Sequence, residues 1–165
     1  MFTAIENQFS SINSTQTEFA EIKTNLITGN RSLLSKKAFK KEAVISPFYW
    51  DKIYDKPNYL TIQIADNQHI ELLPKVLECT NHSCDPNAFF DTNKKQLICI
   101  KSIKKGEEIT FFYPSAEWDM DQPFVCNCGA KHCIGTIKGA KYLPKNALKK
   151  YQFTDFIQQK LKANN

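Results

Sequence analysis

The chain has 165 residues, of which 42% are hydrophobic and 24% charged, as in one globular domain whose core needs no disulfide bonds. Its formal net charge of +5 is spread along the chain, which favours a solvated surface over a concentrated nucleic-acid-binding patch. No apolar run reaches the roughly 18 residues of a membrane span and MFTAIENQFS is no signal peptide, so we expect an intracellular protein without membrane contact.

Residues 1–17 are rich in Ser, Thr, Asn and Gln and predict a loosely held lead-in with room for a short helix. Strand-like patterns follow in FAEIKTNLI, SLLSKKAF and EAVISPF. Alternation is clearer in YLTIQIAD, where Leu60, Ile62 and Ile64 would share one face of a strand. DNQ then predicts a turn, and HIELL (69–73) predicts the returning strand.

Two more strands are predicted at QLICI (96–100) and EITFFY (108–113), the second after a KKGEE turn in which Gly106 can take a positive φ. Only the end of the chain has a helical pattern, in KNALKKY and TDFIQQKLK, with Asn146 and Thr154 as candidate caps. Many short strands without βαβ alternation predict a mostly β fold.

The cysteines form a candidate metal site. FVCNCGAKHCIG contains Cys126, Cys128 and Cys133, close enough together to supply three ligands of one tetrahedral zinc ion. Six cysteines in a reducing compartment indicate thiols or a metal rather than disulfides. Cys79 and Cys99 lie in contexts typical of buried apolar side chains. Spacing alone leaves the fourth ligand open among Cys84, Cys79, Cys99, His82 and His132.

Three separated motifs, NHSCDPN (81–87), GEEITFFY (106–113) and CNCGAKHCIG (126–135), together resemble the SET-domain protein-lysine methyltransferases with a post-SET zinc segment. NRSLLSKKAFKKEAVI (30–45) is similar to the family's opening glycine motif and its flanking strands. The resemblance implies a SET-type fold of short sheets with a pseudoknot, a zinc-stapled post-SET segment and short C-terminal helices. The implied parts are the lead-in (1–17), SET domain (18–124), post-SET zinc segment (125–138) and helical tail (139–165).

The resemblance also implies roles for individual residues. Tyr113 would be the catalytic tyrosine, and Phe111 would limit how many methyl groups fit. The residues that bind S-adenosylmethionine would be Asn30, Arg31, Ser32, Leu33, Asn81, His82, Tyr113 and Phe124. The substrate channel would be walled by Phe111, Phe112 and Tyr49, with Trp118 a further aromatic candidate. The ligands of the structural zinc ion would be Cys84, Cys126, Cys128 and Cys133.

The implied function is that of a protein-lysine N-methyltransferase, which transfers a methyl group from S-adenosylmethionine to a lysine of a protein such as a histone. An apolar channel would favour the neutral amine, whose ordinary pKa is about 10.4. The chain departs from the family pattern at Asn30–Arg31–Ser32, at Glu78–Cys79 and at Phe112.

Two alternatives stay open. One is a non-catalytic SET-fold binding module with a structural zinc site. The other is a zinc protein whose basic surface binds nucleic acid, although we expect no direct contact with nucleic acid.

Overall fold

The computed structural model describes residues 16–164. Residues 1–15 of the predicted lead-in therefore lie outside the described residues. Short strands dominate among these residues, and the two helices that they contain lie at their C-terminal end. The strands are β1 (Ala20–Thr24), β2 (Arg31–Ser35), β3 (Val44–Pro47), β4 (Ile53–Tyr54), β5 (Thr61–Ala65), β6 (Gln68–Glu71), β7 (Asn81–His82), β8 (Ala88–Asp91), β9 (Gln96–Cys99), β10 (Thr110–Phe111), β11 (Phe124–Val125) and β12 (Thr136–Ile137). The helices are α1 (Lys145–Leu148) and α2 (Asp155–Ala163), and 3-10 turns lie at Lys75–Cys79, Tyr113–Ser115 and Ala140–Tyr142.

The strands form several small sheets, which confirms the predicted mostly β fold. β1 and β2 are an antiparallel pair, as are β11 and β12. Two three-stranded antiparallel sheets have the orders β3-β9-β8 and β4-β6-β5. β7 and β10 pair in parallel.

The clearest period-2 patterns became strands at the predicted places. YLTIQIAD contains β5, and HIELL overlaps β6, which begins one residue earlier at Gln68. Ile62 of β5 lies opposite Ile70 of β6, and QLICI contains β9. The prediction of one strand over EITFFY was wrong in length, because only Thr110 and Phe111 form a strand, and Glu108 makes an isolated bridge to Leu34. Tyr113 instead begins a 3-10 turn with Pro114, which has no N–H to donate to a sheet.

The helix caps differ from the prediction, whereas the turn glycine agrees with it. Asn146 lies inside α1, whose N-cap position is taken by Pro144. Thr154 does precede α2, but its hydroxyl is buried and makes no capping hydrogen bond. Gly106 has φ +83°, as the KKGEE turn predicted. In the part of the chain described here, neither helix has the length and apolar character needed to cross a bilayer.

The interior is divided among three clusters of buried side chains. The largest lies between the sheets and includes Leu33, Phe90 and Ile109. The second joins the C-terminal helices to the turn before them through Phe112, Ala140, Phe153 and Ile157. The third surrounds the cysteines and contains Cys84, Cys126 and Ile137. The C-terminal segment is therefore packed onto the SET-like body of the chain, on the side where Phe112 lies.

Residues 107–111 run between β2 and β7. On one side, the backbone N–H of Ser35 donates to the carbonyl of Glu107 at 2.9 Å and that of Ile109 donates to Leu33 at 2.8 Å. On the other side, Thr110 pairs with Asn81 in the parallel β7–β10 ladder. A segment enclosed in this way is what the expected pseudoknot requires, and it brings the NHSC motif next to Tyr113.

Candidate active site and cysteine cluster

A cavity of 1020 Å³ opens where β2, β7 and the segment before the clustered cysteines meet. Its wall includes Asn30, Arg31 and Ser32, which lie at the start of β2, and Asn81 and His82 of β7. Tyr113, Phe111 and Phe124 line the same cavity. The tertiary structure therefore brings together residues from four distant parts of the chain.

Asn81 uses its side chain chiefly to hold the crossing together. Its amide nitrogen donates to the carbonyl of Arg31 at 2.8 Å and to Oε1 of Glu108, also at 2.8 Å. Because an Asn amide has only two N–H donors, these two bonds use both of them. Asn81 thus ties β2 to the enclosed segment at the cavity wall.

His82 links Tyr113 to the cysteine cluster. The backbone N–H of Tyr113 donates to its Nδ1 at 3.1 Å, so the proton of the neutral ring lies on Nε2. Nε2 is 3.3 Å from Sγ of Cys84 and donates to that sulfur. Burial lowers the pKa of His82 to about 4, which keeps the ring neutral.

Tyr113 presents its hydroxyl inside the cavity. The hydroxyl donates to the carbonyl of Thr80 at 3.3 Å, and burial raises the pKa of Tyr113 to about 12, so the group is a neutral O–H at neutral pH. The ring lies 4.8 Å from that of Phe111 and 5.9 Å from that of Phe124, measured between centroids. This corner of the cavity is thus aromatic, with one polar atom.

Four cysteine sulfurs form a cluster beside the cavity. The Sγ atoms of Cys84, Cys126, Cys128 and Cys133 lie within 4.8 Å of one another. Those of Cys84 and Cys126 are 4.0 Å apart, and those of Cys84 and Cys133 are 3.9 Å apart. A zinc ion with Zn–S bonds of about 2.3 Å would place its sulfurs about 3.8 Å apart, so the cluster fits a tetrahedral ion.

The protonation of these thiols depends on their surroundings. Burial raises the pKa of Cys126 to about 11 and raises that of Cys84 further. Burial also acts to raise the pKa of Cys128, but hydrogen bonds with the backbone of Cys84 and Ala130 and with the neighbouring thiols lower it to about 6. A metal ion binds thiolates, so binding here would release protons.

The chain matches the family model described as SET domain over residues 11–114. The chain belongs to the SET-domain family. Among curated proteins it is 37% identical over 108 residues to Methyltransferase flvH of Aspergillus flavus, which is 64% of this chain and 60% of that protein. It is also 34% identical over 65 residues, 36% of this chain and 7% of the relative, to Histone-lysine N-methyltransferase, H3 lysine-36 specific, of Chaetomium globosum.

A solved structure supports the SET fold independently. KRYPTONITE, in a complex with mCHG DNA and SAH, superposes with a TM-score of 0.56 at 17% identity, over 73% of this chain and 29% of that one. At this identity the likeness concerns the fold alone. The chain also spans only 60% of the length of the Aspergillus flavus relative.

Four of the expected site residues lie away from the cavity of this SET domain. Leu33 is fully buried in the main core. Phe112 stacks on Tyr151 at 3.6 Å between ring centroids, in the second cluster. Tyr49 is 48% exposed and pairs with Leu73, and Trp118 packs against the C-terminal helices. Phe111 is thus the expected channel residue that does line the cavity.

Phe112 takes this place because alternate residues point to opposite sides of an extended segment. Phe111 and Tyr113 face the cavity, so Phe112 must face away from it. An acidic side chain at this position would be surrounded by apolar rings, whereas Phe fills the space against Tyr151 and Phe153.

The structure also reveals polar residues that sequence patterns did not single out. Asn87, the last residue of NHSCDPN, donates to the carbonyl of Glu108 at 2.8 Å and accepts from the N–H of Thr110 at 2.9 Å. Glu117 lines the cavity as a buried carboxyl. The second Asn of the NHSCDPN motif could have pointed to Asn87, but no sequence signal marks Glu117.

Proposed function

We propose that this SET domain transfers a methyl group from S-adenosylmethionine to the side-chain amine of a lysine in a protein. The observation that carries the proposal is the meeting of Tyr113, Asn81 and Asn30–Ser32 in one cavity beside the four-cysteine cluster. The names of the methyltransferase relatives support the reaction class. Complexes of KRYPTONITE that contain SAH, and in one case an H3(1–15) peptide, support the cofactor and a histone-like substrate.

In this proposal, the cofactor lies against the start of β2, β7 and Phe124. The donor, when bound, supplies an electrophilic methyl group on a sulfonium. Asn30, Arg31, Ser32, Asn81 and His82 would hold it in place. Leu33 would contribute only its backbone, because its side chain is buried in the core. Positioning of the reacting groups then supplies much of the rate enhancement.

The acceptor amine would approach Tyr113 past Phe111. Because the Tyr113 pKa is raised to about 12, its hydroxyl stays protonated and serves to orient rather than to take a proton. The aromatic wall disfavours a charged amine by desolvation. Phe111 lies 4.8 Å from the tyrosine ring and would limit the room for methyl groups.

The cysteine cluster would hold a structural zinc ion. Four protein sulfurs leave no open position, so the ion would take no part in chemistry. Its role would be to attach the segment that contains Phe124 to the NHSC motif through Cys84. The free thiols also suit the reducing intracellular compartment that we propose for the protein.

The test is incubation of the full chain with radiolabelled S-adenosylmethionine and a panel of proteins that includes histone H3. We expect labelled lysine with the wild type, and at least a hundredfold lower rate with Tyr113→Phe, of the order found when a reacting group loses its alignment. Isothermal titration with S-adenosylhomocysteine should give the same affinity for both proteins.

The outcomes separate the proposal from the non-catalytic alternative. Equal labelling by Tyr113→Phe would remove Tyr113 from the catalytic role. No binding of S-adenosylhomocysteine by the zinc-loaded wild type would favour a binding module without catalysis.

A further inference from the structure

Glu117 lies close to Tyr113 along the chain and shares its cavity. The 3-10 turn that begins at Tyr113 ends with the N–H of Ala116 donating to the carbonyl of Tyr113 at 3.1 Å. Glu117 follows directly, lines the cavity and is only 6% exposed. A carboxyl group is therefore buried at the wall of the candidate active site.

This carboxyl group has an unsatisfied oxygen. Its Oε1 is shut off from solvent and has no hydrogen-bond partner, and none of the ion pairs among residues 16–164 involves Glu117. Burial raises the pKa of Glu117 well above its usual range, and the backbone of Gln63 offsets only part of that rise. A buried carboxyl with an unsatisfied oxygen costs free energy, and such a group at the wall of a cavity is a candidate functional residue.

The backbone around Glu117 is fixed from both sides. The N–H of Ala140 donates to the Glu117 carbonyl at 2.8 Å, and the N–H of Gln63 donates to the Ala116 carbonyl at 2.9 Å. The N–H of Trp118 donates to Oε1 of the Gln63 side chain at 3.1 Å. The backbone that carries this carboxyl is thus fixed at the cavity wall, as preorganised recognition requires.

The charges around the cavity favour a cation. Although the chain carries +5 overall, the cavity is lined by four acidic side chains and two basic ones. Glu108 accepts from Asn81, and Glu78 pairs with Lys75. Asp121 is exposed to solvent. Glu117 is therefore the acidic residue among them that is buried and keeps an oxygen without a hydrogen-bond partner.

We propose that Glu117 is the substrate-binding residue that receives the positively charged amine of the methyl acceptor. The proposal rests on the proposed function for the identity of the acceptor as a lysine amine. Oε1 accepts a hydrogen bond from the amine nitrogen, and the apolar surroundings strengthen the pair. A side chain of similar length that lacks the nitrogen, such as norleucine, would leave Oε1 without a partner. The contact would therefore favour binding of an amine over binding of an apolar side chain.

The proton count of this contact is consistent with methyl transfer. A lysine ammonium that pairs with Glu117 leaves a carboxylate–ammonium pair, and any proton that the carboxyl carried goes to water. When the shared proton moves to Oε1, the nitrogen lone pair is free to form the N–C bond, and the C–S bond pair returns to sulfur. The neutral carboxyl and a methylated ammonium remain.

The test compares amine binding by the full chain and by Glu117→Gln, which keeps the size of the side chain. The probes are Nα-acetyl-lysinamide and Nα-acetyl-norleucinamide, titrated by ligand-observed NMR. We expect the wild type to bind the lysine probe at least tenfold more tightly than the norleucine probe. Glu117→Gln should lose that preference, whereas Asp121→Asn, which removes an exposed acid at the same cavity, should retain it.

Each result decides the matter. Equal binding of both probes by the wild type, or a lysine preference that survives in Glu117→Gln, overturns the assignment, and the first comparison does not depend on the variant folding. If the preference depends on Glu117 but the wild type transfers no methyl group, the proposed function falls and this assignment stands. If Glu117→Gln methylates lysine with an unchanged KM, the proposed function stands and the assignment of Glu117 falls.

Discussion

Gly139 occupies a position where even one methyl group should disrupt the fold. It lies just before the 3-10 turn Ala140–Tyr142 with φ +120°. A Cβ there would be 2.5 Å from the carbonyl oxygen of Trp118 and 2.8 Å from its carbonyl carbon. Because these are backbone atoms, they cannot rotate away. Gly139→Ala must therefore push the C-terminal segment away from residues 117–119.

The magnitude follows from what this separation breaks. The hydrogen bonds from Ala140 N to Glu117 O (2.8 Å) and from Lys141 N to Trp118 O (3.1 Å) span the two segments. Their loss costs about 1 kcal/mol each, and the strained φ of a non-glycine residue adds about 2 kcal/mol. The total of about 4 kcal/mol is a large share of the stability of an ordinary domain, about 5–15 kcal/mol.

Urea unfolding followed by circular dichroism measures this loss. With a slope of about 2 kcal/mol per molar urea, the midpoint of Gly139→Ala should fall by about 2 M. Gly106→Ala is the matched control, because Gly106 also has a positive φ, +83°, but no atom lies within 4 Å of its added Cβ. Gly106→Ala should be destabilised only by the strained φ, by about 1–2 kcal/mol. Equal midpoints for the two variants would refute the steric argument.

Three further predictions concern the metal, the C-terminal segment and pH. Cys84→Ser should lose most of the bound zinc by elemental analysis, because it removes one of four clustered sulfurs. Tyr151→Phe should destabilise the chain by about 1 kcal/mol in urea, because its hydroxyl donates to the carbonyl of Cys84 at 2.7 Å. Burial raises the Glu117 pKa above 4.5, so the folded state keeps this proton to higher pH than the unfolded state. The stability from this group is complete below that value and is lost as pH rises through the folded pKa, so Glu117→Gln should flatten the decline in the urea midpoint as the pH rises above about 4.5.

Each of these predictions has a control or a contrary result. Cys79→Ala should keep its zinc, because Cys79 lies in the main core, and equal loss in both cysteine variants would argue against the cluster. An unchanged urea midpoint in Tyr151→Phe would mean that its ring stack on Phe112 alone holds the tail. A parallel pH dependence of wild type and Glu117→Gln would show that Glu117 does not titrate differently on folding.

Local patterns in the sequence determined much of the fold class and part of the site. Strand alternation placed β5, β6 and β9, because side chains alternate between the two faces of a strand wherever it lies. Close spacing predicted that Cys126, Cys128 and Cys133 lie in one cluster, because residues that are neighbours in a tight turn are also neighbours in space. The motifs around Asn81 and Tyr113 identified the family, which the match over residues 11–114 confirmed.

The tertiary structure alone decided which distant groups meet. Cys84, which the family resemblance implied but spacing left open, is the fourth sulfur of the cluster, 3.9 Å from Cys133 and 49 residues away from it, because β7 lies beside the cysteine segment. Phe112 turned away from the cavity because the C-terminal segment supplies Tyr151 as its partner. Glu117 was buried because Gln63 and Ala140 close over its backbone from opposite ends of the chain. Such contacts depend on how chain segments cross, and a pattern read along a few neighbouring residues contains no information about crossing.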